Sequence, residues 1–98
     1  MHLTFSRLVQ NDLRGALNHY DDAAGPHLAL RFYNEFEELL AAIQTNPKRF
    51  HGVPGYAHRR ANFPSFPFHL IFRETADGGR VPVLRHHRRH PDFGMGRK

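Results

Sequence analysis

Residues 26–45 read PHLALRFYNEFEELLAAIQT and carry the clearest structural signal in the sequence. Apolar side chains recur there every three or four residues, which is the spacing of one face of an α-helix. The stripe consists of Leu28, Ala29, Phe32, Phe36, Leu39, Leu40 and Ile43. Pro26 suits a first helical position, and Asn46-Pro47 ends the pattern because the residue before a proline is pushed out of the α region. The pattern therefore predicts a helix over 26–45.

A second helix is predicted immediately before this one. Apolar residues within 9–24 recur with the same spacing, Asn11 or Asp12 would supply the amino-terminal cap, and Gly25 fits the turn that follows. Because glycine costs about 1 kcal/mol relative to alanine inside a helix, Gly15 suggests a close helix–helix contact. Two helices joined by so short a break form an antiparallel hairpin, and neither is stable without a surface that covers its apolar face.

The flanking sequence is typical of β-strands. Leu3–Phe5 alternates ahead of the hairpin, and the segments 56–63, 68–73 and 81–87 alternate after it. Asp77-Gly78-Gly79 predicts a hairpin turn between the last two segments, since glycine tolerates positive φ. The order β-α-α-β-β-β favours an α+β fold, in which the short amino-terminal strand and the helical hairpin pack on an antiparallel β-sheet.

Length and composition exclude several classes of protein. Ninety-eight residues form one domain, 1–98, in which about 88–98 form a basic tail without periodicity. An apolar content of 40% argues against general disorder, and the absence of cysteine excludes disulfides and thiolate chemistry. The sequence shows no secretory leader pattern and no apolar run near the roughly 18 residues of a membrane span, so a cytoplasmic location without a membrane partner is expected. No phosphate loop, nucleophile elbow or carboxylate pair is present, so no cofactor is expected.

The charge is divided unequally along the chain. Residues 1–47 hold three arginines and six acidic residues, whereas residues 48–98 hold eleven basic and three acidic residues together with six of the nine histidines. Such asymmetry predicts a basic face that meets an anionic macromolecule, either nucleic acid or an acidic protein surface. We expect Arg60, Arg73, Arg85 and Arg88 on one face of the sheet. A solvated basic surface that keeps the protein soluble is the alternative.

The segment His86-His87-Arg88-Arg89-His90 is the most unusual in the sequence. Two histidines four residues apart converge on a metal only when they lie on a helix, and this segment follows a predicted strand, so no metal site is predicted. Acid–base work is a second possibility, because imidazole titrates near neutral pH and guanidinium groups stabilise a developing phosphate charge. His87, His86 and Arg60 would then suit a metal-free ribonuclease. Solvated histidines on a basic surface are the alternative.

Several short segments, taken together, form a pattern. They are Asp12-Leu13 with Ala16-Leu17 and Tyr20-Asp21, Arg31-Phe32 with Glu35-Phe36-Glu37, Asn46-Pro47-Lys48-Arg49-Phe50, Arg59-Arg60-Ala61, Phe66-Pro67-Phe68, Ile71-Phe72-Arg73, and Val83-Leu84 leading to His87-Arg88-Arg89. In this order and spacing they resemble the RelE/ParE superfamily, the small toxins of bacterial type II toxin–antitoxin operons. The chain is more similar to the ParE and plasmid-stabilisation branch than to RelE.

The resemblance implies a growth-inhibiting toxin that a cognate ParD-like antitoxin holds inactive. The acidic carboxyl-terminal segment of that antitoxin would wrap the basic half of the chain. Target binding would fall to the arginines of the basic half, namely Arg59, Arg60, Arg73, Arg85, Arg88 and Arg89.

The resemblance leaves the target open. ParE-like members act on DNA gyrase, whereas RelE-like members cut messenger RNA on the ribosome. The late tyrosine of the RelE pattern is missing, since no tyrosine follows Tyr56, but some relatives use a carboxyl-terminal histidine, for which His86 or His87 would serve. Gyrase poisoning is therefore the leading hypothesis. RNA cleavage by His87, His86 and Arg60 is the second, and a non-toxic binding module is the third.

Overall fold

Two helices and five strands make up the fold. The computed structural model describes all residues, 1–98. The elements in chain order are β1 (Leu3–Phe5), α1 (Arg7–Ala24), α2 (Pro26–Thr45), β2 (His51–Gly52), β3 (Arg59–Asn62), β4 (Phe68–Thr75) and β5 (Gly78–His86), with one turn of 3-10 helix at Pro47–Arg49. The predicted α+β order and the predicted bounds of α2 are confirmed. Neither helix combines the length and the apolar character that a membrane span requires.

The sheet is mixed, with strand order β1-β5-β4-β3-β2. β1 runs parallel to β5, pairing Leu3 with Gly79 and Phe5 with Val81, and every other neighbouring pair is antiparallel. The sheet is therefore not wholly antiparallel as predicted. Parallel neighbours need a long connection between them, which the helical hairpin and three intervening strands supply.

The main core lies between the hairpin and the sheet. Phe32 and Ile43 of α2 have no exposed surface, and Phe36 is 5% exposed. The sheet contributes the side chains of Ala61, Leu70, Phe72, Val81 and Leu84. Leu70 and Phe72 alternate along β4, which defines its helix-facing side, and the intervening residues face away. We call the side of the sheet away from the helices the outer face.

The first helix begins two residues earlier than its apolar pattern indicates. Its cap is Ser6, whose hydroxyl accepts the backbone N–H of Leu8 at 3.3 Å. The predicted capping role of Asn11 or Asp12 is therefore wrong, because the exposed first turn adds nothing to the apolar stripe. The predicted helix–helix contact at Gly15 is also wrong, since an added Cβ would meet no atom within 4 Å.

The three strands predicted after the hairpin all have different bounds in the structure: β4 extends to Thr75, and the short β2 is not predicted at all. The strand predicted from residue 56 begins only at Arg59, because the backbone N–H of Tyr56 closes a turn onto the carbonyl of Val53 at 3.1 Å. β5 begins at Gly78, which lies at φ 139° against the backbone of His2. A side chain at Gly78 would collide with that backbone, so glycine is required there.

The carboxyl-terminal segment is packed on the outer face. Met95 is 7% exposed and contacts Ile71 and Val83, with Phe93 at the edge of this small second core. Arg97 donates to the Asp12 carboxylate on α1 at 2.6 Å. The sheet is thus covered on one face by the hairpin and on part of the other by residues that the sequence predicts to be a basic tail.

Replacing Phe36 by alanine tests the packing of the hairpin on the sheet. The Phe36→Ala variant should lose about 3–5 kcal/mol of unfolding free energy, because a buried aromatic side chain is removed and a cavity is left. Urea unfolding monitored by circular dichroism measures the loss. Leu30→Ala on the same helix, where the side chain is 57% exposed, should lose less than about 0.5 kcal/mol. Equal losses in the two variants would contradict this account of the core.

Candidate functional site

Four basic side chains meet on the outer face of the sheet. They come from three neighbouring strands and the residue that follows the last one, and they are Arg60, His69, Arg85 and His87. His69 pairs across the β4–β5 ladder with Arg85, so their side chains lie beside one another on the same face. We call these four residues the outer-face cluster.

A continuous chain of hydrogen bonds joins the cluster. Arg85 donates from Nε to His69 Nε2 at 2.8 Å and from a terminal nitrogen to the Phe93 carbonyl at 2.7 Å. His69 Nδ1 lies 2.9 Å from His87 Nδ1, and a terminal nitrogen of Arg60 lies 3.2 Å from the same His87 atom. The cluster therefore links β3, β4, β5 and the carboxyl-terminal segment.

The donors in this chain assign the tautomers of both histidines. A guanidinium group has no acceptor, so His69 Nε2 must accept from Arg85 and the proton of His69 must be on Nδ1. His69 then donates to His87 Nδ1, which also accepts from Arg60. The proton of His87 is consequently on Nε2, an assignment that follows from the hydrogen-bond partners.

The electrostatics favour neutral histidines. His69 is 2% exposed, and burial, followed by the charges of Arg60 and Arg85, lowers its pKa to about 3. Burial and Arg60 also lower the pKa of His87, and burial lowers the pKa of Arg85. The nearest carboxylate, Asp92, accepts a hydrogen bond from the Tyr56 hydroxyl at 3.2 Å and lies at the rim. The cluster is therefore positively charged through its two arginines.

The chemistry available to the cluster is donation of hydrogen bonds to an anion. Arg60 and His87 are exposed, and His87 offers its Nε2 proton outward, while its Nδ1 lone pair is already occupied. Such a surface suits carboxylate or phosphate oxygens. The structure contains no group of three or more histidine, cysteine, aspartate or glutamate side chains that could hold a metal ion.

Comparison with known proteins identifies the family. Residues 3–91 match the family model described as the ParE toxin of the type II toxin–antitoxin system parDE. The chain belongs to the ParE toxin family. The match includes all five strands, both helices and the whole outer-face cluster.

A solved structure shares the fold of this ParE-family protein. It is described as the chromosomal ParDE TA system from P. aeruginosa and is 23% identical in sequence, with a TM-score of 0.76 over 88% of this chain and 95% of that chain. At this identity the likeness concerns the fold. No curated protein matches the sequence significantly.

The site residues predicted from the sequence of this ParE-family protein do not all lie together in the structure. Arg60 and His87 are in contact, and Arg73 shares the outer face of β4 with His69 by alternation. Arg85 is 4% exposed, and its guanidinium group points to the Phe93 carbonyl of the carboxyl-terminal segment. Arg59 lies on the helix-facing side, where it donates to the Phe50 carbonyl at 2.7 Å.

The remaining predicted residues lie on the other side of the sheet. His86 packs against the Phe68 ring, with 5.0 Å between ring centroids, and Arg88 and Arg89 follow it toward α1. Arg88 therefore does not join Arg60, Arg73 and Arg85 as predicted, because the chain turns away from the outer face after β5 ends. His86 is likewise separated from the Arg60–His87 pair.

His69 is the cluster member that the sequence analysis missed. Its position between Phe68 and Leu70 of an alternating strand places it on the outer face, a signal that the sequence does contain. Its burial depends on the carboxyl-terminal segment and on the Arg85–Phe93 contact, which no periodicity indicates.

The stability of this ParE-family protein should fall in acid because His69 is kept neutral. The unfolded imidazole binds a proton below about pH 6.5, whereas the folded one resists protonation until about pH 3, so stability present above pH 6.5 is lost as the pH falls. From pH 7 to pH 5 the loss through His69 should be about 1–2 kcal/mol, after allowance for screening by solvent near His87. Urea unfolding at the two pH values measures it.

A matched pair of variants isolates His69 in this experiment. His69→Gln retains an acceptor for Arg85 but cannot titrate. Its free energy of unfolding should therefore fall less between pH 7 and pH 5 than that of the wild type. His27→Gln, an exposed change on α2, should behave like the wild type. An identical pH dependence in the wild type and His69→Gln would contradict the assignment.

Proposed function

We propose that this protein is a growth-inhibiting toxin that acts in the cytoplasm by poisoning DNA gyrase and is neutralised by a cognate ParD-like antitoxin. Membership of the ParE toxin family over residues 3–91 is the observation that carries the proposal. The positive charge concentrated in residues 48–98 supports a partner with an acidic carboxyl-terminal segment.

An apolar groove along the hairpin supports antitoxin binding. It has a volume of about 500 Å³ and runs between β1, α1 and α2. Its apolar lining consists of Phe5, Val9, Leu13, Phe36 and Leu40. Phe5 is 40% exposed, so the groove leaves apolar surface in water that a bound partner would cover. An amphipathic helix lays its apolar stripe into a groove of this kind.

The outer-face cluster favours binding over cleavage as the toxic activity. A general base needs an available lone pair, and the outward nitrogen of His87 carries a proton while its Nδ1 accepts from Arg60 and His69. Arg60 and His87 can therefore donate hydrogen bonds to an anionic surface without a change in the protonation state of either side chain. This supports a target-binding role for Arg60, with Arg73 further along the same face of the sheet and Arg85 holding His69 in place.

Ribosome-dependent cleavage of messenger RNA is the second candidate function. One contact favours it, namely that of Arg60 with His87 at 3.2 Å on an exposed surface, where a histidine and a guanidinium group lie side by side. In this alternative His87 would first have to take up a proton, because a neutral imidazole N–H is too weak an acid to protonate a leaving oxygen, and Arg60 would stabilise the phosphate charge. His86 faces the other side of the sheet and would not take part.

Growth and enzyme assays separate the two functions. Expression of the chain alone should arrest growth, and the purified protein should reduce supercoiling by gyrase and accumulate cleaved complexes. Arg60→Ala should weaken both effects because it removes an exposed positive charge from the cluster, whereas Arg31→Ala on α2 should leave them unchanged. Intact gyrase activity together with cleavage on translating ribosomes that His87→Ala abolishes would support the alternative instead.

The groove is tested through the antitoxin. Co-expression of a short acidic protein encoded immediately upstream should restore growth of the wild type. Phe5→Glu should remain toxic in the presence of that protein, because a buried carboxylate in the apolar groove weakens binding. Leu30→Glu, an exposed change on α2 outside the groove lining, should still be neutralised. Rescue of Phe5→Glu as complete as that of the wild type would exclude this groove as the docking site.

A further inference from the structure

A cleft on the helix-facing side of the sheet lies between α1 and the end of β5. Two adjoining cavities of about 350 Å³ and 460 Å³ form it, and both are lined by His19, Phe68, His86 and Arg89. Volumes of this size are typical of sites for small molecules. Arg85 and Phe93 lie at one wall of the cleft, whereas Arg60, His69 and His87 do not line it, and α1 separates it from the apolar groove.

The charge of the cleft is unbalanced. Its mouth is lined by His19, His86, Arg88 and Arg89 around the Phe68 ring, without a carboxylate. The chain has two ion pairs, Arg97 with Asp12 and His90 with Asp92, and neither involves Arg88 or Arg89. Asp12, the acidic residue of the cleft lining, is held at 2.6 Å by Arg97, so no carboxylate pairs with Arg88 or with Arg89, whose guanidinium group lies 4.7 Å from the centre of the Phe93 ring.

The polar side chains at the mouth of the cleft are hydrogen-bond donors. The backbone N–H of Arg88 donates to His86 Nδ1 at 3.0 Å, so a neutral His86 carries its proton on Nε2, which has no partner within the chain. Burial, followed by the charges of Arg88, His19 and Arg89, lowers the pKa of His86. A bound anion would relieve this repulsion. The mouth of the cleft thus has hydrogen-bond donors and positive charge but no anionic acceptor for them.

Gly15 leaves the cleft open on the side of α1 because it has no side chain. It lies within α1, where glycine costs about 1 kcal/mol relative to alanine, and an added Cβ would meet no atom within 4 Å. Its φ is not positive, so the backbone does not require glycine. Glycine at this position leaves space above the cleft and contributes no packing.

We propose that this cleft binds the phosphate group of a nucleotide, with Arg88, Arg89 and His86 donating hydrogen bonds to the phosphate oxygens and Phe68 contacting the base. Two neighbouring guanidinium groups and an imidazole N–H match the several acceptor oxygens of a phosphate. The aromatic wall suits a planar base. The nucleotide could be free or at the end of a strand, and the site goes beyond the toxin activity proposed above.

Titration of the purified full chain tests the site. Calorimetry with adenosine 5′-monophosphate should show saturable binding at one site, and adenosine should show none, because the phosphate supplies the interaction. NMR signals of the His19 and His86 rings should shift with the nucleotide, and the pKa of His86 should rise. Arg89→Gln and Arg88→Gln should each weaken binding about tenfold, while Arg31→Gln on α2 should leave it unchanged.

Two substitutions of Gly15 provide a control that is independent of the arginines. Gly15→Ala should retain binding and raise the melting temperature, since alanine favours the helix. Gly15→Glu should remain folded but lose binding, because a carboxylate occupies the space above the cleft and repels phosphate. Binding that survives unchanged in both Gly15→Glu and Arg89→Gln would overturn the proposal.

A short 5′-phosphorylated oligonucleotide distinguishes the two sources of the phosphate. Binding of the monophosphate with an affinity equal to or above that of the oligonucleotide would indicate a free nucleotide. Binding of the oligonucleotide alone, lost in Arg89→Gln, would indicate a strand end. Absence of saturable binding by both probes, or equal binding of adenosine and its monophosphate, would overturn the proposal.

Discussion

Phe32 supplies the contact on which the rest of this structure depends. Its ring has no exposed surface and stacks on Phe63 at 4.7 Å between centroids, with Phe66 at 5.0 Å and Phe68 at 5.1 Å around it. Three of these rings belong to the connection between β3 and β4 or to its ends. The same burial that stabilises the hairpin therefore fixes where the two strands begin and end, and with them the positions of Arg60 and His69 on the outer face.

A second constraint is the buried charge of Arg85. A guanidinium group taken out of water is costly unless its N–H groups find acceptors. Here the acceptors are His69 and the Phe93 carbonyl, at 2.8 and 2.7 Å. One satisfied cation thereby sets the tautomer of His69, orients His87 and holds the carboxyl-terminal segment against the sheet. The basic half of the chain is consequently divided into separate surfaces with different exposure.

Local patterns predicted the elements of this fold better than its long-range contacts. The apolar stripe of 26–45 predicted the correct bounds of α2, and alternation in 68–73 predicted the strand that became β4. Nothing in a local pattern shows that β1 pairs in parallel with a strand more than seventy residues away, or that Met95 and Arg97 return to the sheet and to α1. The site was predicted in part for the same reason. Arg60 and His87 were recognised by residue type, whereas the burial of Arg85 and His69 depends on a segment without periodicity.

The position of β5 affects how the molecule can be made. β5 is the last strand to leave the ribosome, yet it lies between β1 and β4 and is the neighbour that β1 requires. A nascent chain that lacks residues 78–86 has an amino-terminal strand without a partner and a hairpin above an incomplete sheet. Pairings between such distant segments form slowly. The native sheet therefore cannot form until β5 has been synthesised, and a chain that stops before residue 78 lacks the strand that joins β1 to β4.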